Sequence, residues 1–412
     1  MFKKIILFLH RWLGLISGLV VLVLSISGAL FVFQKEFTHW LRKDVMYVEQ
    51  TQRQRLSMEE MYARTADALE VPALYYGLVT YKDENQAWSA FSYIPNPEPS
   101  WTYFGAIKEY KTAYVNPYTG ETQAVIDEEK DFFQIMKGIH WSLLLSTPIG
   151  QPIVVWSTVI FIVLLISGLV LWWPKKWNKA GKQKSFKVKW GSTWRRVNYD
   201  LHNVVGFYAL LLALIVGFTG LYWAFPFAKK TLHFLGTGEF KLPDTQTTKV
   251  QSTPPAAPRD AAESPLEVAY KNGWEEFPDA YSIAFITPRD SAGTINAIVR
   301  GSGKTYYERS EMKFDQYTGE VLQIDAYEDK NAGEKLLAMN YDIHVGAIGG
   351  IPGKILALLI CIVSGSLPIT GFIIWFDKKR RGKRQKSRPS FYKGISGNGR
   401  KKKCKPSELA EA

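Results

Sequence analysis

The sequence predicts an α-helical membrane protein: a four-helix transmembrane bundle built from two repeats, with two small α+β domains on its outer side. Three observations carry this prediction. Four long stretches are apolar and almost uncharged, a His/Gly pattern recurs in both halves of the 412-residue chain, and charge is segregated along it. The averages hide all three. Hydrophobic residues make up 47%, mean hydropathy is −0.10 and net charge is +13, values that suit a basic soluble protein. The apolar content excludes a wholly disordered chain. Two cysteines exclude a disulfide scaffold or a Cys-rich metal site.

Crossing a bilayer takes about 20 apolar residues, and four stretches supply them: 12–33, 152–173, 203–225 and 351–376. None contains Asp, Glu or Arg, and Lys354 sits at the edge of the last. Trp12, Trp172, Trp173, Trp223 and Trp375 flank them as interfacial anchors. The first stretch follows Lys3 and Lys4 as a signal sequence would, yet it exceeds the ~7–15 residues of a cleavable one. Phe33-Gln34-Lys35-Glu36 offers no small-residue cleavage site, so the span is expected to stay as an anchor.

Loop charge sets the orientation. Segments 1–11, 174–202 and 377–412 together hold 26 Lys/Arg and 4 Asp/Glu, whereas the remainder holds 25 and 34. Both termini and the basic loop 174–202 are therefore expected in the cytoplasm. Segments 34–151 and 226–350 lie outside as the first and second exterior domains. The tail 377–412 is expected to be disordered and drawn to anionic lipid. The excess positive charge reports topology, and no nucleic-acid partner is expected.

The chain repeats itself. His10-Arg-Trp-Leu-Gly14 aligns with His202-Asn-Val-Val-Gly206, and seventeen residues after each His stand Ser27-Gly28 and Thr219-Gly220. His140 precedes Pro148 by the eight residues that separate His344 from Pro352. Ser167-Gly168 and Thr370-Gly371 follow, each with Trp172 or Trp375 at equal spacing. Outside the membrane, Asn116-Pro117-Tyr118-Thr119-Gly120-Glu121 parallels Asp315-Gln316-Tyr317-Thr318-Gly319-Glu320. Each turn lies between alternating β-rich runs and predicts a hairpin. Helix-like stretches precede them at 57–68 and 265–270, and 245–265, rich in Thr, Pro and Ala, reads as a linker.

These motifs resemble the PepSY-associated transmembrane family, which includes iron-regulated inner-membrane proteins and ferric-siderophore reductases. The resemblance runs to about Lys379, with the duplicated His/Gly pattern as its specific part. It implies a multi-pass protein of the bacterial inner membrane that binds two b-type haems beneath periplasmic PepSY-like domains. Some members are fused to a flavin reductase domain, where this sequence has a basic tail after 376, which leaves the donor open between an unidentified cytoplasmic reductase and a quinol.

Of six histidines, His10 and His202 sit at the inner ends of spans, while His140 and His344 precede spans on the outer side. A two-repeat bundle brings equivalent residues together, as helix bundles do when they build cofactor sites. The expected haem-iron ligands are His10 with His202 and His140 with His344. Gly14 and Gly206 share a helical face with their histidines and leave room for a flat macrocycle or a neighbouring helix. A lone interfacial His is ordinarily just a tolerated polar residue; four at repeated positions favour ligation. His39 and His233 are runner-up ligands for the outer haem or a metal at the substrate face. Met136 and Met339 fit ordinary packing better than ligation, and the hydroxyl–glycine pairs fit helix packing. Exterior aromatics such as Trp88, Trp101 and Trp274 suit strands and core better than a binding surface. Cys361 and Cys404 receive no role.

No phosphate-binding loop, dinucleotide fingerprint or hydrolase motif is present. The expected function is di-haem electron transfer with reduction of a ferric siderophore in the periplasm. The rival is a membrane-anchored module that binds peptides or envelope proteins and restrains a protease, which leaves the four histidines unexplained. A permease ranks third, because the spans hold no buried acid or base apart from histidine.

Overall fold

The computed structural model describes residues 1–49, 54–243, 250–255 and 263–386, with side chains to 380. Most of the expected linker and the tail beyond 386 lie outside the described residues. Four helices are long and apolar enough to cross a membrane: Phe2–Phe31, Thr147–Trp172, Trp194–Leu221 and Ala347–Arg380. They pack in a ring, the first and third against the second and fourth.

Their packing is inverted relative to a water-soluble bundle. The first helix buries Ser17, Gly18, Ser25 and Ser27, and the third buries Ala209, Ala213, Gly217 and Thr219. Large side chains point outward: Ile16, Leu19 and Leu211 are each about 70% exposed. In lipid, large apolar groups gain nothing by leaving the solvent, so small residues that let backbones approach take the interior. A Cβ on Gly18 would lie 3.2 Å from Pro368, and one on Gly365 would lie 3.1 Å from Ser25, which marks how close the first and fourth helices come.

All four helices start earlier than hydropathy alone suggests, and the last also ends later. The first begins at Phe2, since Lys and Arg are good helix formers and extend a nucleated helix at little cost. His10 therefore lies within the helix. The last, Gly350–Lys386, runs ten residues past the predicted end of its span into the expected disordered tail, where basic residues suit the helix dipole. Shorter helices, Phe132–Ser142 and Ala332–His344, lead into the second and fourth spans and carry His140 and His344.

Between the first two spans lie β1 (Leu78–Tyr81), β2 (Trp88–Pro95), β3 (Ile107–Val115) and β4 (Thr122–Asp127). Between the last two lie β5 (Ser282–Ile286), β6 (Thr294–Arg300), β7 (Arg309–Asp315) and β8 (Val321–Asp325). The helices that precede them, Met58–Ala68 and Pro265–Glu276, are capped by Ser57 and Ser264, whose hydroxyls accept from the N–H groups of Glu60 and Glu267. Both expected hairpins form. Asn116 and Asp315 accept backbone N–H groups in the turn, and Gly120 and Gly319 supply φ of +73° and +75°.

Separate exterior domains do not form. The strands join in one antiparallel sheet, β4-β3-β2-β1-β5-β6-β7-β8, with β1 and β5 paired from Leu78↔Phe285 to Tyr81↔Ser282. The physical reason is the edge: each four-stranded half alone would leave β1 or β5 with unpaired backbone groups. One core serves both halves, with Met58, Met61, Leu78, Val115, Ile283, Phe285, Met312 and Phe314 almost fully buried. Arg55 bridges the halves to Glu267. Phe285, at the seam and 0% exposed, is the test of this shared core. Phe285→Ala is expected to cost about 3–5 kcal/mol, read as an early loss of β-sheet circular dichroism on heating while the helical signal persists.

Candidate functional site: two histidine pairs

The bundle brings the four repeated histidines together in two pairs. His10 and His202 have ring centroids 6.4 Å apart, and His140 and His344 have theirs 6.1 Å apart. Each pair takes one histidine from each half of the chain.

Each imidazole is held through Nδ1 by the other membrane helix of its own half. His10 Nδ1 lies 2.8 Å from Ser167 Oγ, and His140 Nδ1 lies 3.3 Å from Ser27 Oγ. In the second half His202 Nδ1 is 2.9 Å from Thr370 Oγ1, and His344 Nδ1 is 3.0 Å from Thr219 Oγ1. The exchange is reciprocal: the first and third spans give a histidine at one end and a hydroxyl at the other, while the second and fourth give a hydroxyl and the short helices that lead into them give the histidine. The glycine after each hydroxyl makes the contact possible. A Cβ on Gly28, Gly168, Gly220 or Gly371 would lie 3.1–3.5 Å from the Cε1 of His140, His10, His344 or His202 respectively. The hydroxyl–glycine pairs, expected to serve helix packing, thus serve the histidines.

The hydrogen bonds also fix the tautomer. Ser27 Oγ donates to the carbonyls of Val23 and Leu24, and Thr219 Oγ1 donates to those of Ile215 and Val216. With its own proton engaged, each hydroxyl can only accept. His140 Nδ1 is also 2.9 Å from Leu24 O, and His344 Nδ1 is 3.1 Å from Val216 O, oxygens that accept only. Nδ1 therefore carries the proton and Nε2 keeps its lone pair, the arrangement that metal-binding histidines take. Burial holds His140 below the usual imidazole pKa, and burial plus repulsion from His140 brings His344 down to about 4, so this pair stays neutral.

Two imidazoles with bare Nε2 atoms have no proton to share with each other. A metal ion could join such a pair. Bonds of about 2 Å from one ion to two imidazole nitrogens put the ring centres about 6 Å apart, the spacing seen in both pairs. Among the described residues, no group of three or more His, Cys, Asp or Glu is arranged to hold a metal. A haem brings its own equatorial nitrogens and asks the protein only for axial ligands, so the donor set and its spacing fit that group.

Gly14 and Gly206 lie elsewhere. Their nearest side chains are Leu164 and Leu367 of the neighbouring helices, at 3.8 and 3.2 Å from a Cβ, so they let helices approach. His39 lies on Gln34–Leu41 and meets Tyr47, with Nε2 3.4 Å from its hydroxyl. His233 is buried on Pro226–Thr237, where Nδ1 bonds Glu239 O at 3.1 Å and the ring packs against Gly333. The structure does not bring these two to either pair.

A further signal was in the sequence. Asn198-Tyr199-Asp200-Leu201-His202 and Asn340-Tyr341-Asp342-Ile343-His344 are nearly one pentapeptide, placed at opposite ends of the second half. Both copies work alike. Asn198 Nδ2 donates to Thr370 O and Asn340 Nδ2 to Thr219 O, fastening the threonines that hold the histidines. Asp200 accepts the Lys189 N–H and Asp342 accepts the Tyr306 N–H, tying a loop to each site. All four side chains are at most 1% exposed. His202 also lies in a π-helical turn, Leu201–Val205, a distortion common at functional sites.

This geometry lies within a recognisable family. A family model, the PepSY-associated TM region, matches residues 7–378. The chain belongs to that family. The match takes in all four spans, the joined sheet and all six histidines of this PepSY-associated membrane protein. A search of curated proteins returns no match.

Proximity within the pairs can be tested without any cofactor. In a chain with Cys361 and Cys404 changed to Ser, the pair His10→Cys with His202→Cys is expected to be joined by a short thiol cross-linker. The pair His10→Cys with His344→Cys is not. Equal cross-linking of both, judged by mass spectrometry of the digested protein, would contradict the pairing.

Proposed function

We propose that this PepSY-associated protein is a di-haem electron-transfer protein of the bacterial inner membrane that reduces ferric siderophores at its periplasmic face. The observation that carries the reading is the repeated one: two histidine pairs, each with ring centres about 6 Å apart, at opposite ends of one bundle. Both termini are assigned to the cytoplasm, as the excess of Lys and Arg in 1–11, 174–202 and 377–412 supports. The bundle is taken as two repeats, each of two spans that exchange hydroxyls for histidines.

His10 with His202 would hold the inner haem, and His140 with His344 the outer one. The bound group supplies one-electron chemistry at a potential tuned by ligands, burial and hydrogen bonds. The chain does the rest. Ser167, Ser27, Thr370 and Thr219 orient the imidazoles and raise their basicity through Nδ1–H. Seventeen residues separate His10 from Ser27, a rise of about 25 Å along the helix. That carries the two sites most of the way across a hydrocarbon core of about 30 Å. The inner site faces a cytoplasmic reductase or a quinol as donor. The outer site lies beneath the sheet, where a ferric chelate is the acceptor; a siderophore built from hard oxygens holds Fe(III) far better than Fe(II), so reduction releases the metal.

The test is haem content against single ligands. Wild-type protein is expected to hold two haems per chain. His10→Ala and His344→Ala are each expected to hold one and to lose the bis-imidazole spectrum of the affected site. Haem content and spectra unchanged by both substitutions would defeat the assignment.

A further inference from the structure

Directly outside the His140–His344 pair, the structure gathers charge that neither the fold nor the proposed electron transfer has used. A small recess is lined by Phe31, Val32, Lys35, Tyr306, Tyr341 and Lys354, among others. It adjoins the pair on two sides. Tyr341 lies one helical turn before His344, and Val32 donates its N–H to the carbonyl of Gly28, the glycine that touches His140.

The recess is electropositive. Lys35, Arg300, Lys304 and Lys354 converge there against two carboxylates, Glu36 and Asp342. Both carboxylates are committed: Glu36 pairs with Lys354, itself only 5% exposed, and Asp342 accepts the Tyr306 N–H through both oxygens. Lys35 has no ion-pair partner among the described residues. Its ammonium instead lies 4.2 Å from the centre of the Tyr306 ring. Burial, with repulsion from Arg300 and Lys354, outweighs the attraction of Asp342 and Glu36 and brings its pKa down to about 8. A half-buried cation without an anion is costly unless something supplies one. The Tyr306 and Tyr341 hydroxyls are likewise without hydrogen-bond partners among the described residues, so two further donors stand beside Lys35.

Size limits the occupant. The recess leaves about 10 Å³ for the centre of a water-sized group, enough for one water or the tip of one anionic side arm. A whole free chelate does not fit. The anion must arrive on the arm of a body held elsewhere, and the adjoining histidine pair is where such a body would sit. Resting on the haem reading above, we propose that this recess is a carboxylate site, with Lys35 as its unpaired cation, and that it takes a propionate of the outer haem. At the inner end the equivalent aspartate, Asp200, is matched by Arg196 and the Lys189 N–H. Lys35 held beside the outer site would add a positive charge there, which favours the reduced form of a haem.

Full-length protein loaded with haem or with haem dimethyl ester, whose propionates carry no charge, tests this. In the wild type the ester is expected to be retained at the outer site roughly ten-fold less well, the scale of one lost charge-assisted hydrogen bond. In Lys35→Met, haem is expected to be retained no better than the ester, and the outer-haem midpoint potential is expected to fall. Lys35→Arg should restore both. Equal retention of haem and ester by the wild type, or an unmoved potential in a folded Lys35→Met chain, overturns the inference alone. A wild-type chain that takes up neither macrocycle overturns the haem reading and the inference with it. Citrate that binds haem-loaded wild type but not Lys35→Met, measured by calorimetry, would instead give the site to a free carboxylate and overturn the propionate assignment.

Discussion

The hydrogen bond from each imidazole Nδ1 to a hydroxyl on the opposite membrane helix is the constraint on which the structure turns. It needs an acceptor whose own proton is engaged, a condition met by Ser27 and Thr219 through the carbonyls one turn earlier. A glycine stands beside each acceptor, and at Gly28, Gly220 and Gly371 a Cβ would press on the ring. Once made, it leaves a lone pair on Nε2 and holds the ring where a histidine from the other half can face it. Four such bonds, two at each end, tie the spans of each half together and place the rings of the two halves about 6 Å apart, centre to centre. A buried polar contact of this sort is strong in lipid-like surroundings, and leaving either partner unsatisfied there is costly.

The same logic explains the shape around the sites. The four helices hide serine, glycine and alanine and turn leucine and isoleucine outward, so their contacts depend on close approach and a few polar bonds, not on burying oil. Outside the membrane the usual rules return. Methionine, isoleucine and phenylalanine fill a core under one eight-stranded sheet, and pairing β1 with β5 closes the edge that each half would expose. Asp342 links the two regimes. It sits on the helix that carries His344 and accepts the Tyr306 N–H from the loop between β6 and β7, so the sheet is fastened to the His140–His344 pair.

Much of this was legible in the sequence, and what was not has physical causes. The spans follow from length and missing charge, and the histidine pairing follows from equal spacing in two halves. The hairpin glycines at 120 and 319 follow from turn chemistry. Helix ends were misplaced where Lys and Arg continue a helix beyond its apolar part, at Phe2 and after Phe376. The joined sheet was hidden because a strand's partner two hundred residues away leaves no trace in local periodicity. Gly14 and Gly206 share a face with their histidines, yet adjacency in one helix does not say which neighbour packs there; the glycines at the rings come from the other helix of each half. The Asn-Tyr-Asp-Leu/Ile-His repeat was visible, but it relates opposite ends of one half, whereas comparing the two halves aligns Asn340 with Met136. Lys35 gives no sequence signal at all, since only the fold sets it over Tyr306 beside Lys354.

The account stands on the claim that the paired imidazoles share a metal held in a macrocycle. An oxidised and a dithionite-reduced absorption spectrum of the wild-type protein, with haem quantified per chain, tests it most directly. Two b-type haems per chain, both with six-coordinate bis-imidazole bands, are the predicted result. A colourless protein that stays colourless after haem supplementation would contradict it.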